Sequence, residues 1–496
     1  MSQGVECVVK VLVGTFAALI LLGLSRGRPA FLAIHRRRVL QALAVLGGLA
    51  FINFGGLHTD GTALHLWDQY HYFVGSKYFP ELGYDGLYVA TIQARREQLP
   101  ELPPPQRLRD LRTNALVSLN AAAEHTREVR ARFSDARWRE FSADASRFYL
   151  RDDIFLDNGL KATPSHIQIL RWFSRWLPFR TRTMYLLALL DFALLALSAY
   201  AIHRAFGLET LAGVALTFGI GFCSRYYWVG GAFLRQDWLA ALILAAAALR
   251  SGRNKLAGAA VAYASVVRIF PAIFVVPLLL HWLVRGDRRA ATQFLGVFAV
   301  AASALFLMGW VAQPEAWPQS IAALIRHSRT VFPNSVGLRV PFITSFANLR
   351  GGLVNPDTLY DYVAISRDYA ATLQSRLWLV AIATIAFVWL TLRAAVRAES
   401  ASAAFVLGIG LVFALTAPTC YYGTYFALLP LARPVRTAAV FLGASVLTYL
   451  VAIAVLAMSS AGWMQLNGAA VFGPASLFLG CALVDWMLHF PARAKA

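Results

Sequence analysis

The side chains best suited to chemistry lie between His58 and Tyr88, where a polar span follows an apolar run. This span combines three histidines and many aromatic residues with four carboxylates, Asp60, Asp68, Glu81 and Asp85. A carboxylate just outside a membrane helix can take the proton from a hydroxyl group that acts as a nucleophile. Asp68 is therefore our candidate general base, and the alternative is a solvated or helix-capping aspartate.

The same span also contains side chains that can bind a metal ion. At helical spacing, His65 and Asp68 share one face and form a usable ligand pair. The other metal-capable residues nearby are His58, Asp60 and His71. No strong metal-binding motif accompanies them, so we predict no metal site and no cofactor. A divalent cation is the less favoured alternative.

Arginines in apolar surroundings form a second group of candidates. Arg235, Gln236 and Asp237 precede a short apolar helix, and Arg268 lies at a break between two others. An arginine within a membrane is costly, and it marks either a functional site or a buried ion pair. Because a guanidinium group matches phosphate oxygens, we predict that Arg268 and Arg235 bind a phosphate. The alternative is a structural Arg268–Asp237 pair.

A third group of polar residues occurs in the segment IRHSRTVFPNSVGLRV. Its basic and amide side chains could bind a phosphate or a sugar, or could be interfacial cations that face anionic lipid. They are His327, Arg329, Asn334 and Arg339.

The elements that must position these residues are membrane helices. Of the 496 residues, 58% are hydrophobic and only 15% are charged, which is too apolar for a soluble domain. The net charge of +20 comes mainly from short basic clusters between apolar runs, as the positive-inside rule expects, so we predict no nucleic-acid partner. The four cysteines lie in or beside apolar runs, which predicts neither disulfides nor a zinc site.

The pattern predicts an all-α polytopic membrane protein with about 13 transmembrane helices and two large external loops. A short helix from Trp67 to Tyr78 would lie in the interface, with Trp67, Tyr70, Phe73 and Val74 toward lipid. The predicted divisions are N-terminal transmembrane helices (1–57), a first external loop with the catalytic stretch and a helical insert (58–183), a transmembrane bundle with short broken helices (184–310), a second external loop (311–376) and C-terminal transmembrane helices (377–496).

Four blocks of the sequence resemble a known family. The block WDQYHYFVGSKYFPELGYDGLY resembles the first external loop of membrane glycosyltransferases of the glycosyltransferase-C superfamily. It is most similar to the bacterial polyprenyl-phosphate-mannose-dependent mannosyltransferase group. The positions that match in this block are Asp68, Tyr70, Tyr72, Gly75, Ser76 and Tyr88. Three later blocks agree in order: RQDWLAALILAAAALRSGRNKLAGAAVAYASVVRIFPA, HSRTVFPNSVGL and LTAPTCYYGTYFALLPLA.

The resemblance implies a glycosyltransferase-C-like fold and an inverting hexosyltransferase of the bacterial inner membrane whose active site faces the exterior. The sugar, mannose or another hexose or pentose, would come from a polyprenyl-phosphate donor and go to a glycan or glycolipid acceptor. Asp68 would be the base. Donor-phosphate contacts would come from Arg268, Arg235 and Arg329. The substrate-binding residues would be Tyr72, His71, Gln236, His327, Asn334, Tyr421 and Tyr422.

Two departures from the family pattern concern the donor and the acceptor. Related late blocks often carry a histidine where this chain has Gly423 and Thr424, and the external insert from about Ala90 to Thr181 is longer than usual. The alternative functions are a transporter or flippase of a lipid-linked or anionic solute, and a non-catalytic protein of envelope assembly. The acidic, aromatic cluster is at the outer rim of the membrane and not at its midplane, which favours an enzyme.

Overall fold

The computed structural model describes residues 1–27, 34–58, 61–329, 332–343, 361–458 and 468–490. This part of the chain is mostly helical. Six helices are long and apolar enough to cross a membrane, Gln3–Arg26, Thr181–Phe206, Arg288–Ala312, Val363–Arg397, Pro434–Met458 and Ala470–Leu488. Shorter apolar helices cover Leu208–Ile220, Phe270–Arg285 and Ala401–Leu415. The protein is therefore a polytopic membrane protein, and the count of about 13 crossings stays a prediction.

Two helices, α1 (Gln3–Arg26) and α2 (Arg36–Phe51), precede the polar segment 58–183. That segment opens with short helical turns and a π-helical stretch, Gln69–Val74, which directly follows Asp68. Its remaining elements are α3 (Leu87–Gln98), β1 (Arg107–Arg109), β2 (Leu116–Ser118), α4 (Ala123–Ala131), α5 (Asp135–Ala145) and α6 (Pro164–Ser174). The two strands form an antiparallel pair in which Leu108 lies opposite Val117.

The expected orientation of the Trp67–Tyr78 run toward lipid is wrong. Tyr70, Phe73 and Val74 are fully buried within the protein. The cause is the long insert that follows, because its aromatic residues cover the run: the Tyr70 ring lies 4.5 Å from that of Phe148, and Phe73 lies 5.0 Å from Phe179. The run thus forms the core of the segment 58–183.

The central bundle contains long and short helices. They are α7 (Thr181–Phe206), α8 (Leu208–Ile220), α9 (Asp237–Arg250), α10 (Asn254–Arg268), α11 (Val275–Arg285) and α12 (Arg288–Ala312). Helix α10 ends at Arg268 because Ile269 adopts a positive φ of 56° and Pro271 follows. The backbone therefore breaks within the bundle, where neighbouring protein can satisfy the freed polar groups.

The C-terminal half continues with α13 (Ala316–Arg329), α14 (Tyr362–Arg397), α15 (Ala401–Val406), α16 (Gly408–Leu415), the 3₁₀ segment Cys420–Leu431, α17 (Pro434–Met458) and α18 (Ala469–Leu488). Helix α14 begins at Tyr362, well before the predicted start at Leu377. Its first turns carry charged residues, so hydropathy alone did not reveal them. The Asp361 side chain caps this helix by accepting a hydrogen bond from the Ala364 N–H (3.1 Å).

Close backbone contact and buried charge join α1, α2 and α8. A Cβ on Gly47 would lie 2.4 Å from the carbonyl carbon of Ala215, so α2 and α8 can touch only through glycine. Next to this crossing, Lys10 of α1 donates to the carbonyl oxygens of Ala50 and Gly219. Glu6, one turn earlier, pairs with Arg225, which lies in the loop after α8.

Candidate active site

The site is built where the loop before Asp68 meets the loop before α9. The Gly231 carbonyl accepts a hydrogen bond from the His65 N–H (2.9 Å), and Gly231 has a φ of +70°. A Cβ at this position would lie 1.8 Å from the Ala63 carbonyl oxygen, so only glycine allows the two loops to approach. The His65 Nδ1 atom then accepts a hydrogen bond from the Asp68 N–H (3.1 Å), which fixes the start of the helical turn.

Asp68 forms a buried ion pair with Arg235. The Arg235 Nη1 atom donates to Asp68 Oδ1 (3.0 Å) and lies 2.8 Å from Oδ2. Both residues are 7% exposed. Oδ2 accepts no well-aligned hydrogen bond from the described residues, so a lone pair remains available to an incoming hydroxyl group. This is the geometry of a carboxylate that is held in place but can still accept a proton.

The backbone at Arg235 is held in place by a carboxylate from a membrane helix. Asp191, on membrane helix α7, accepts hydrogen bonds from the backbone N–H groups of Arg235 and Gln236, both at 3.0 Å. The preceding residue, Leu234, has a positive φ of 50°. Positive φ is uncommon for a residue with a side chain and requires support from its surroundings.

Arg268 lies on a second chain of contacts, through His166 to Asp237. Thr163 and Pro164 begin helix α6 as N-cap and first residue, which places His166 in its first turn. Burial lowers the pKa of His166, so its imidazole is neutral at pH 7. Its Nδ1 atom accepts from Arg268 Nη1 (3.0 Å), since arginine has only donors, and its Nε2 lies 3.1 Å from Asp237 Oδ2.

The opposite edge of Arg268 has no hydrogen-bond partner among the described residues. Its Nε and Nη2 atoms are buried and make no hydrogen bond to any described residue. No carboxylate among the described residues pairs directly with Arg268, so the alternative of a structural Arg268–Asp237 ion pair is not realised: His166 stands between the two. Nε and Nη2 are the parallel donors that bind two oxygens of a phosphate or carboxylate side by side.

Three tyrosines join the two arginines into one site. The Tyr72 ring centre lies 5.9 Å from Arg235 Cζ and 5.4 Å from Arg268 Cζ. Tyr421 lies 4.1 Å from Arg235 Cζ, and Tyr422 lies 6.0 Å from Arg268 Cζ. Burial raises the pKa of Tyr72 to about 12, so its ring is neutral and presents its π face to both cations.

The structure therefore brings together most of the residues that the sequence singled out. The assembled set is Asp68, Tyr72, Arg235, Arg268, Tyr421 and Tyr422. Gln236 adjoins it, with a buried side-chain oxygen that accepts no hydrogen bond from the part of the chain that the structure describes.

Other predicted residues lie elsewhere. The His71 side chain points into the core of the segment 58–183, where its Nε2 lies 2.8 Å from the Tyr88 hydroxyl, and burial lowers the pKa of the ring. Asn334 contributes its carbonyl oxygen to the Cys420 N–H (2.8 Å), so its backbone lies against the start of the late block. The side chains of His327 and Arg329, and all of Asp60, lie outside the described residues.

Two residues of the site were missed by the sequence reasoning. Asp191 is a lone carboxylate in an apolar span, and that isolation was a usable signal. His166 carried no such signal, since only the fold brings α6 against the end of α10. Within the described ranges, no group of three or more His, Cys, Asp and Glu residues could hold a metal ion.

Comparison with known proteins gives one family. Residues 164–418, more than half of the chain, match glycosyltransferase family 87. The match starts at helix α6 and contains His166, Asp191, Arg235 and Arg268. No curated protein and no solved structure matches the chain significantly.

Proposed function

The chain belongs to glycosyltransferase family 87, and from this premise we propose that it transfers a sugar from a polyprenyl-phosphate donor to an envelope acceptor. The sugar is mannose or another hexose or pentose, and the acceptor is a glycan or glycolipid. Transfer takes place on the outer face of the bacterial inner membrane, with inversion at the anomeric carbon. The resemblance of the Asp68 block to polyprenyl-phosphate-dependent mannosyltransferases supports the donor class.

The open edge of Arg268 is the observation that carries this proposal. Leaving a buried donor without a partner costs about 1 to 3 kcal/mol, and more for a charged group. Two such donors side by side therefore favour a ligand with two adjacent oxygens, such as the phosphodiester of a polyprenyl-phosphate sugar. Arg235 is already paired with Asp68, so Arg268 is the cation that is free to neutralise the single charge of that phosphodiester.

Asp68 supplies the base in this scheme. An acceptor hydroxyl group donates its proton to Asp68 Oδ2 while its oxygen attacks the anomeric carbon from the side opposite the phosphate. The bond from the anomeric carbon to the phosphate oxygen breaks, and polyprenyl phosphate leaves with the bonding electrons. Arg268 stabilises the negative charge that develops on the leaving phosphate, which is the kind of preorganised electrostatic contact that lowers a barrier most.

Tyr72 contacts both Arg268, which binds the donor phosphate, and Arg235, which is paired with the base Asp68. Both guanidinium groups lie within 6 Å of its ring centre. A phosphate on Arg268 would therefore place the attached sugar next to the Asp68–Arg235 pair. Holding donor and base in this register supplies part of the rate enhancement by positioning alone.

The first test is a transfer assay in membranes with a panel of radiolabelled polyprenyl-phosphate sugars and an envelope extract as acceptor. We expect Asp68→Asn to lower kcat by about 100-fold or more, because loss of a general base costs about this much. The matched control is Asp135→Asn, an exposed aspartate of the same external domain, which should keep full activity. Equal product from Asp68→Asn and wild type would remove Asp68 from the centre of the mechanism.

Donor binding is tested separately at Arg268. We expect Arg268→Lys to raise the KM for the donor about tenfold, since lysine keeps the charge but loses the two-donor edge. Arg139→Lys, an exposed arginine on α5, is the control and should leave KM unchanged. If wild-type protein releases polyprenyl phosphate from no donor in the panel, the proposed donor class is wrong and the transporter alternative gains support.

A further inference from the structure

Asp191 is a carboxylate in a membrane helix for which the reaction scheme has no use so far. It is 4% exposed, whereas Leu186 and Leu189 on the other side of α7 are 60% and 59% exposed and face the lipid. Asp191 therefore points into the bundle. An ionisable residue at such a place is costly and is retained where it has a function.

Both oxygens of Asp191 are engaged, and both partners belong to the backbone. Oδ2 accepts from the Arg235 N–H and Oδ1 from the Gln236 N–H. Gln236 is the N-cap residue of α9, where helices leave N–H groups unsatisfied and where negative charge is favoured. The Asp191 side chain thus fixes two consecutive peptide units next to the candidate site.

We propose that Asp191 is a positioning residue that holds Arg235, and through Arg235 the base Asp68, in the geometry for transfer. The strained backbone at Leu234 persists because the next two N–H groups are tied to Asp191. The Arg235 side chain then leaves a fixed backbone and reaches Asp68 at 2.8 Å. This inference rests on the proposed function, because it assigns Asp191 to the base side of the reaction and not to the donor phosphate.

Asparagine at position 191 tests the role directly. Its amide offers one acceptor oxygen, and its NH₂ group would face the second backbone N–H, so one of the two hydrogen bonds is lost. We expect Asp191→Asn to lower kcat by about 10- to 100-fold, the usual effect of losing a charge-assisted hydrogen bond. The KM for the donor should stay within about twofold, because Arg268 is not touched. Asp191→Glu, which keeps the carboxylate, should recover part of kcat.

A double-mutant cycle separates positioning from general structural damage. If Asp191 acts through Arg235, the variant Asp191→Asn/Arg235→Lys should be no slower than Arg235→Lys alone. The losses in kcat/KM of Asp191→Asn and Arg268→Lys should instead multiply, since Asp191 acts on the side of the base and Arg268 binds the donor phosphate. Asp485→Asn, an exposed carboxylate near the end of α18, is the matched membrane-helix control and should keep full activity.

Two results would overturn the inference: kcat of Asp191→Asn within twofold of wild type, or losses that multiply between Asp191→Asn and Arg235→Lys. A readout independent of activity is amide hydrogen exchange in the wild-type protein. The Arg235 and Gln236 amides should be protected, and Asp191→Asn should release at least one. If Asp191→Asn does not fold, the kcat of Asp191→Glu and amide hydrogen exchange in the wild-type protein still test the inference. Wild-type protein without any transfer activity but with protected amides would instead count against the proposed function.

Discussion

At the scale of single residues, the site contains three buried aspartates that differ in their partners. Asp68 faces a guanidinium group, Asp191 faces two backbone N–H groups, and Asp237 faces a neutral imidazole. Asp68 Oδ2 accepts no well-aligned hydrogen bond from the described residues, whereas each oxygen of Asp191 accepts one from a backbone N–H group. In the proposed mechanism the three aspartates therefore have different roles: proton acceptance at Asp68, backbone support at Asp191, and orientation of His166 at Asp237.

Lys161 gives a prediction of pH dependence outside the membrane helices. It is half-buried in the segment 58–183, and burial lowers its pKa from 10.5 to about 8. The unfolded chain therefore binds more protons than the folded one between about pH 8 and 10.5, so the stability contributed by this residue rises with pH in that window. We expect Lys161→Met to raise the melting temperature of the detergent-solubilised protein at pH 7. The gain in melting temperature over wild type should be smaller at pH 9.5 than at pH 7. A gain in melting temperature that is constant with pH would show that burial of the Lys161 charge does not destabilise the folded protein.

At the scale of elements, the site lies on short and irregular pieces of backbone. Asp68 is followed by a π-helical stretch, Arg235 follows a residue with positive φ, and Arg268 precedes another. π-helical turns and strained backbone are concentrated at functional sites in proteins. Asp68, Arg235 and Arg268 therefore lie at irregular backbone and not within the long membrane helices.

Gly231 is the point on which this arrangement depends most. We expect Gly231→Ala to destabilise the protein by about 3 kcal/mol, because its Cβ would overlap the Ala63 carbonyl in addition to the cost of positive φ. Gly252→Ala is the matched control: its φ is also +70°, but nothing lies within 4 Å of the added Cβ, so about 1 kcal/mol is expected. Thermal unfolding of both variants measures the difference. Equal losses would mean that backbone conformation, and not the contact between the two loops, makes glycine necessary.

Hydropathy and motif spacing were sufficient for the elements whose signals are local. The interruption at Arg268 and Pro271 and the candidates Asp68 and Arg235 could be found in this way, whereas Tyr72, Tyr421 and Tyr422 came from the family resemblance. The burial of Tyr70 and Phe73 could not, because the residues that cover them come from the insert much later in the chain. His166 was missed for the same reason, since its partners Arg268 and Asp237 are about 70 to 100 residues away in sequence.

At the scale of the whole molecule, helices pack through small residues where lipid provides no hydrophobic drive between them. Where α2 and α8 cross, each helix contributes a glycine that lies against the backbone of the other helix. A Cβ on Gly219 would lie 1.9 Å from the Gly47 carbonyl oxygen, and one on Gly47 would overlap the backbone of Ala215. The N-terminal helices are thereby packed tightly against the bundle that carries the candidate site.

Adjacent glycines in α2 allow a test of this crossing. We expect Gly47→Ala to lower the stability of the folded protein by about 2 kcal/mol or more, because the backbones must move apart. Gly48→Ala, one residue later, meets nothing within 4 Å and should be neutral or slightly stabilising, since alanine favours helix. Thermal unfolding in detergent compares the two. A destabilised Gly48→Ala would show that α2 needs flexibility here, which would weaken the packing argument.

The Glu6–Arg225 pair has a consequence for biosynthesis. The two residues are 219 positions apart, so Glu6 enters the membrane long before its partner has been synthesised. At about 5 to 20 residues per second, this interval is on the order of 10 to 40 seconds. During that time Lys10, one turn further along α1, is the counter-charge within reach of Glu6. In the folded protein Glu6 pairs with Arg225, and Lys10 donates to the carbonyl groups of Ala50 and Gly219, so helix α1 can complete these contacts only after Arg225 has been synthesised.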